Sequence, residues 1–244
     1  MFRKWFAIGL TLVAATVLAA GGSTILVDDF DDGDSAGWLE NDFTGGRGSF
    51  DASSGAYVLE TTEPIPVTDP SVGTLDADWL PSEGVPMFAN GTLRGTIRAN
   101  TFGTTIGFLF RESHETETDY GFYGSTSFGT FYIERFDLLG NPEAPQTIIA
   151  MADPAEFPFE VGVTYVLEAT VVGHNLTLKA WELGDEEPDE PILTVQDKEL
   201  RAPENTGLGA IAFFDPAPLM ALDVEEVIVS ATVDNITFTH GAAH

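Results

Sequence analysis

The sequence predicts an all-β protein with two antiparallel sheets packed face to face, a β-sandwich or jelly roll. Three observations lead there. Apolar residues recur at every second position through most of the chain, the period of a strand with one buried face. Gly, Pro, Thr and Val are frequent, and no long stretch shows helical spacing. Roughly a dozen short strand-like runs are separated by turn residues, the rhythm of two packed sheets.

In chain order, Arg3 and Lys4 precede an apolar run from Ala7 to Ala20, the charge-then-apolar pattern of a secretory signal. With about 14 apolar residues the run falls short of the ~20 that span a bilayer. Residues 1–20 are therefore expected to be a signal peptide and 21–244 one β-sandwich domain. Thr24 to Phe30 reads as a strand running into a turn at Gly33 and Gly37. Gly48 to Thr61 reads as a hairpin, and the prolines between Pro64 and Pro86 predict mostly loop, with a short strand near Val72–Leu75. From Thr92 to Ala99, Leu93, Gly95 and Ile97 alternate with Arg94, Thr96 and Arg98.

Thr104 to Leu138 reads as three successive strands and carries the densest mixture of rings, Arg and carboxylates. Ile106, Phe108 and Phe110 mark one face of the first strand, which places Arg111 on the other. Tyr165–Val172 and Leu176–Leu183 form a hairpin about Gly173-His174-Asn175. An acidic loop, Gly184 to Pro191, and strands near 192–195, 208–214 and 226–238 complete the chain.

Composition narrows the function. Ten basic residues against 39 acidic ones leave a net charge of −29, which speaks against nucleic acid and anionic membranes as partners. Eighteen Phe supply ample core, and the absence of Cys leaves stability to burial, hydrogen bonds and bound ions.

The segments LVDDFDDGDSAGW, GFLFRESHETETDYGFY, TYVLEATVVGHNLTLKAWELGDEEPDEPILTVQD and ATVDNITFT together resemble secreted concanavalin A-like (lectin/glucanase-type, LamG-like) jelly-roll domains. That resemblance implies first and last strands paired at one edge, and a concave face that in many relatives binds glycans. It also implies, as in some relatives, a structural calcium ion near the paired termini. The E-x-D-x-E or E-x-D-x-x-E strand of its glucan-hydrolysing members is missing; Glu115-Thr-Glu-Thr-Asp119 has its acids in another order and falls in an expected strand connection, and Glu182-Leu-Gly-Asp-Glu-Glu187 has one spacer too many. No catalytic triad or zinc-ligand spacing is present either.

The expected function is a secreted, non-catalytic carbohydrate-binding protein. Exposed rings would stack on sugars and planar polar groups would meet their hydroxyls, so Arg111, Tyr120, Tyr123, Tyr132 and Glu134 are the candidate ligand-binding residues, with Trp181 beside them. Calcium wants six to eight oxygens. Asp28 and Asp29, joined by Asp234 if the terminal strands pair, are its candidate ligands. A glycoside hydrolase with an unfamiliar acidic pair and a surface adhesion protein are the alternatives.

Overall fold

The computed structural model describes residues 24–69, 73–79, 90–113, 117–199 and 207–240. The expected signal peptide, Met1–Ala20, lies outside them. The first strands are β1 (Thr24–Asp28), β2 (Trp38–Asp42), β3 (Gly48–Asp51), β4 (Tyr57–Thr61), β5 (Ile65–Pro66) and β6 (Leu75–Trp79). The middle of the chain gives β7 (Gly91–Ala99), β8 (Thr104–Ser113), β9 (Thr118–Ser125), β10 (Thr130–Asp137) and β11 (Gln146–Met151). There follow β12 (Tyr165–Val172), β13 (Asn175–Glu182), β14 (Leu193–Gln196), β15 (Gly207–Phe214), β16 (Glu226–Val227) and β17 (Ser230–His240), with one short helix, α1 (Pro216–Ala221).

Two antiparallel sheets hold nearly all of these. The eight-stranded sheet runs β14-β13-β12-β7-β17-β4-β3 with β1 added to β17, and the seven-stranded sheet runs β11-β10-β9-β8-β15-β6-β2. One side of β17 pairs with β7 along most of its length, and its other side pairs with β4 at residues 230–233 and with β1 at residues 236–239. The first and last strands are thus joined, as the resemblance implies. Among the described residues no helix is long and apolar enough to cross a membrane.

Rings fill the space between the sheets. Phe108, Phe110, Tyr120 and Phe122 descend from the seven-stranded sheet onto Leu93, Ile97, Leu167 and Phe238 of the other, while Phe30 stacks on Tyr57 at 5.0 Å. Burying each such side chain contributes about 1.5–3 kcal/mol. In the absence of any disulfide, this burial is the main favourable contribution to the fold.

The two sheets differ on their outer faces. β7 alternates buried and half-buried residues along its whole length, whereas every residue of β8 is buried. Period-two alternation predicts the first pattern. The second means that something covers or hollows the outer face of the seven-stranded sheet.

Candidate functional site

That face is laid out by register. Paired residues on adjacent antiparallel strands point the same way, so Asp76, Ile211, Gly107, Tyr123 and Tyr132 form one row across β6, β15, β8, β9 and β10. Asp78, Gly209, Leu109, Gly121 and Glu134 form the next. Glycine at two of these positions makes room. The Tyr123 ring lies along the sheet over Gly121, where a Cβ would fall 1.9 Å from its hydroxyl. At Gly209 a Cβ would press within 3.0 Å of Asp78 Oδ1 and 3.2 Å of Glu112 Oε2.

A bulge decides which charge reaches the face. Between Leu208–Phe110 and Gly207–Glu112 the ladder skips Arg111, whose φ of 57° is left-handed and uncommon for a residue with a side chain. The extra residue shifts the parity of β8, so Glu112 takes the outward position that strict alternation assigns to Arg111. Arg111 is buried instead at the end of the sandwich. There its Nη2 donates to the Gly173 carbonyl at 2.6 Å and to Asn90 Oδ1 at 3.1 Å, tying the seven-stranded sheet to the β12–β13 turn of the other. Arg111, expected among the ligand-binding residues, therefore lies off this face, and the cause is one inserted backbone residue.

Two other expected contacts lie elsewhere. Tyr120 points inward and belongs to the core. Trp181 sits on β13 of the opposite sheet, with the Arg94 guanidinium 4.8 Å over its ring. Tyr123, Tyr132 and Glu134 are brought together, but unequally. Tyr132 is covered by Phe128 and donates to Asp215 at 3.3 Å, and Thr105 and Ser125 also donate to that carboxylate. With Leu109 and Phe213, the two tyrosines make a second small apolar cluster. Tyr123 and Glu134 are almost fully buried as well, but both line a space on this face.

That space is a cavity of about 770 Å³. Leu109, Tyr123, Ile211 and Phe213 floor it, Phe43 and Phe136 stand at its sides, and Asp76, Glu112, Glu117, Asp119 and Glu134 line it. No Lys, Arg or His occurs among the described lining residues. Burial and mutual repulsion therefore act together on Asp76, Glu112, Asp119 and Glu134. Burial pushes Glu134 up to about 8, assisted by the charges of Asp215 and Asp119. Asp119 is raised to about 7 by burial and by Asp78. Asp76 and Glu112 are raised well above the usual carboxylate range, by burial first and by neighbouring acids next.

Asp76, Asp78 and Glu112 converge most closely. Their carboxylate oxygens lie within 4.8 Å of one another, and the three residues are only 7%, 0% and 9% exposed. Asn41 donates to Asp78 Oδ2 at 2.8 Å. This buried acidic group has the donor set to hold a metal ion. Sequence reading missed it because Asp76 and Asp78 fall in the proline-rich stretch taken as loop. Their signal was the alternation in Leu-Asp-Ala-Asp-Trp, with Leu75 and Ala77 buried beneath.

The aspartates expected to bind calcium near the termini are differently placed. Burial raises the pKa of Asp234, and the charges of Asp31 and Asp29, brought near as β1 pairs with β17, add to it. Asp28, however, accepts from the Phe30 amide and the Trp38 indole, both at 2.8 Å. Asp29 accepts from the Asp31 amide, and Asp234 from the amide and side chain of Asn235.

Comparison with solved structures places the architecture. A β-1,3-1,4-glucanase (lichenase) derived from a mouse hindgut metagenome superposes with a TM-score of 0.58 over 92% of this chain and 100% of its own, at 10% identity. The concanavalin A-like jelly-roll fold is established. The catalytic domain of an endo-1,3-β-glucanase (laminarinase) from Thermotoga petrophila RKU-1 gives 0.55 over 91% of this chain and 99% of its own, at 11% identity. The CBM2 module of Lactobacillus casei BL23 phage J-1 evolved Dit gives 0.55 over 92% and 99%, at 12% identity. No protein-family model matches the sequence, and no curated protein matches it.

Proposed function

We propose that this protein is exported and binds a neutral polysaccharide in the cavity on the outer face of the seven-stranded sheet. The observation that carries the reading is the cavity lining. Rings at Phe43 and Phe136 offer faces for sugars, and carboxyls offer acceptors for hydroxyls. With five acidic residues and no basic one among the described lining residues, an anionic polysaccharide would be repelled. The neighbours of the same fold include proteins named as glucanases, which supports a glycan as the ligand class. The test is calorimetric titration with neutral β-glucan oligosaccharides beside alginate and polygalacturonate. Binding of a neutral glycan alone, weakened by Phe43→Ala and Phe136→Ala, supports the proposal; binding only to the acidic polymers contradicts it.

A second reading, hydrolysis, is favoured by one observation. Glu134 lines the cavity with its carboxyl held protonated to about pH 8, the state a general acid needs at neutral pH. Release of reducing ends from a bound glucan, abolished by Glu134→Gln with binding retained, would establish it. Binding without turnover leaves the non-catalytic role.

A further inference from the structure

We propose that Asp76, Asp78 and Glu112 hold a divalent cation, and that their all-oxygen chemistry selects calcium. Two strands separated by β15 supply the ligands, β6 giving the two aspartates and β8 the glutamate. Their oxygens lie within 4.8 Å of one another. Two oxygens bound about 2.4 Å from a common calcium ion are at most ~4.8 Å apart, so small side-chain movements suffice to bring the three carboxylates onto one ion. Nitrogen and sulfur donors, which would favour zinc, are absent from the group.

A separate observation points to a missing partner. Asp76 Oδ1 is buried and has no hydrogen-bond partner among the described residues, although Asp76 lines the cavity. A buried carboxylate oxygen normally has a donor or a cation. The neighbouring features suit an ion as well. Gly209 leaves the space between Asp78 and Glu112 free of a side chain, and the cavity beside Asp76 and Glu112 can admit the waters that complete a calcium shell. Carboxyls gathered in a low-dielectric site resist ionising together, and a divalent ion reverses that preference. This inference concerns metal alone and stands whether or not a glycan binds.

The test uses the full chain, stripped with EGTA and titrated calorimetrically with calcium chloride and, separately, magnesium chloride. One calcium site per chain is expected, much tighter than the diffuse association of ions with the acidic surface, with a melting temperature raised by about 5 °C or more at ~1 mM calcium. Asp76→Asn and Glu112→Gln should each weaken that site at least about tenfold. Glu186→Gln, in the exposed acidic loop, should leave it unchanged. Without calcium, Glu112→Gln should melt no lower than the parent, because glutamine keeps the shape of the side chain and its hydrogen-bonding capacity; this separates loss of the ion from loss of the fold. Absence of a tight site in the parent, or a tight site that survives both Asp76→Asn and Glu112→Gln, overturns the proposal.

Discussion

The outer faces of the two sheets are built by the same alternation and carry opposite chemistry. On the eight-stranded sheet, Arg94 pairs with Glu187 at 2.8 Å and Glu168 at 3.4 Å, Lys179 reaches Glu187 at 3.3 Å, and Thr92 meets Thr170 at 2.8 Å. Charges there are matched and partly solvated. On the seven-stranded sheet, Asp76, Asp78, Glu112 and Glu134 are buried, with no cation among the described residues lining their cavity. The first face is what solubility requires. The second is unfavourable for folding, because burying like charges costs free energy that packing elsewhere must offset. Sequences carry such local conflicts mainly where a ligand is handled, and this contrast is the physical ground for placing function on the seven-stranded sheet.

pH should separate the faces most strongly. Glu134 is raised from 4.5 to about 8 and Asp119 from 3.8 to about 7. For an acid with a raised folded pKa, the native state binds more protons than the unfolded chain between the two values. Stability is therefore full below about pH 4 and falls as pH rises towards 8, by on the order of 4–5 kcal/mol at most for Glu134. Thermal melts between pH 4 and 9 in EGTA should show that fall, and Glu134→Gln should flatten it. A melting temperature that rises from pH 5 to 8 would contradict this assignment.

Arg111→Ala should come next. Losing the buried bonds to Gly173 and Asn90 is expected to lower stability by about 2–4 kcal/mol, read from chemical denaturation. Glycan affinity should stay within about twofold at temperatures where the variant is folded, since Arg111 lies off the cavity face. A selective loss of glycan binding would return Arg111 to the site.

Phe43→Ala should cost glycan affinity by about tenfold, near 1.4 kcal/mol, with little change in melting temperature because the ring is 55% exposed. The smallest effect is expected on the opposite sheet. Arg94→Ala removes partly solvated ion pairs and should change stability by no more than about 1 kcal/mol and glycan binding not at all.

Sequence alternation made the sandwich legible because period-two burial is a property of each strand by itself. The hairpin of β12 and β13 lies where Gly173 and His174 predict it, and β11 matches the apolar run at residues 146–151. The site was less legible, because it depends on events alternation cannot encode. A single bulge exchanged Arg111 for Glu112 on the outer face. Asp119 lies on β9, inside a strand whose edge is hidden by the acidic run before it. His114 to Thr116, where that run begins, lie outside the described residues. Asp76 and Asp78 were masked by prolines that flank β6 without entering it. The register that aligns Asp78 with Gly209 is long-range pairing, and no local pattern announces it.

Backbone hydrogen exchange with and without a saturating neutral β-glucan oligosaccharide most directly decides which face meets the ligand. Slower exchange is predicted at residues 109–113, 117–123 and 134–146, around the cavity, with β7, β12 and β13 unchanged. Protection confined to β7, β12 and β13 would instead assign binding to the solvated Arg94–Trp181 face and contradict the account.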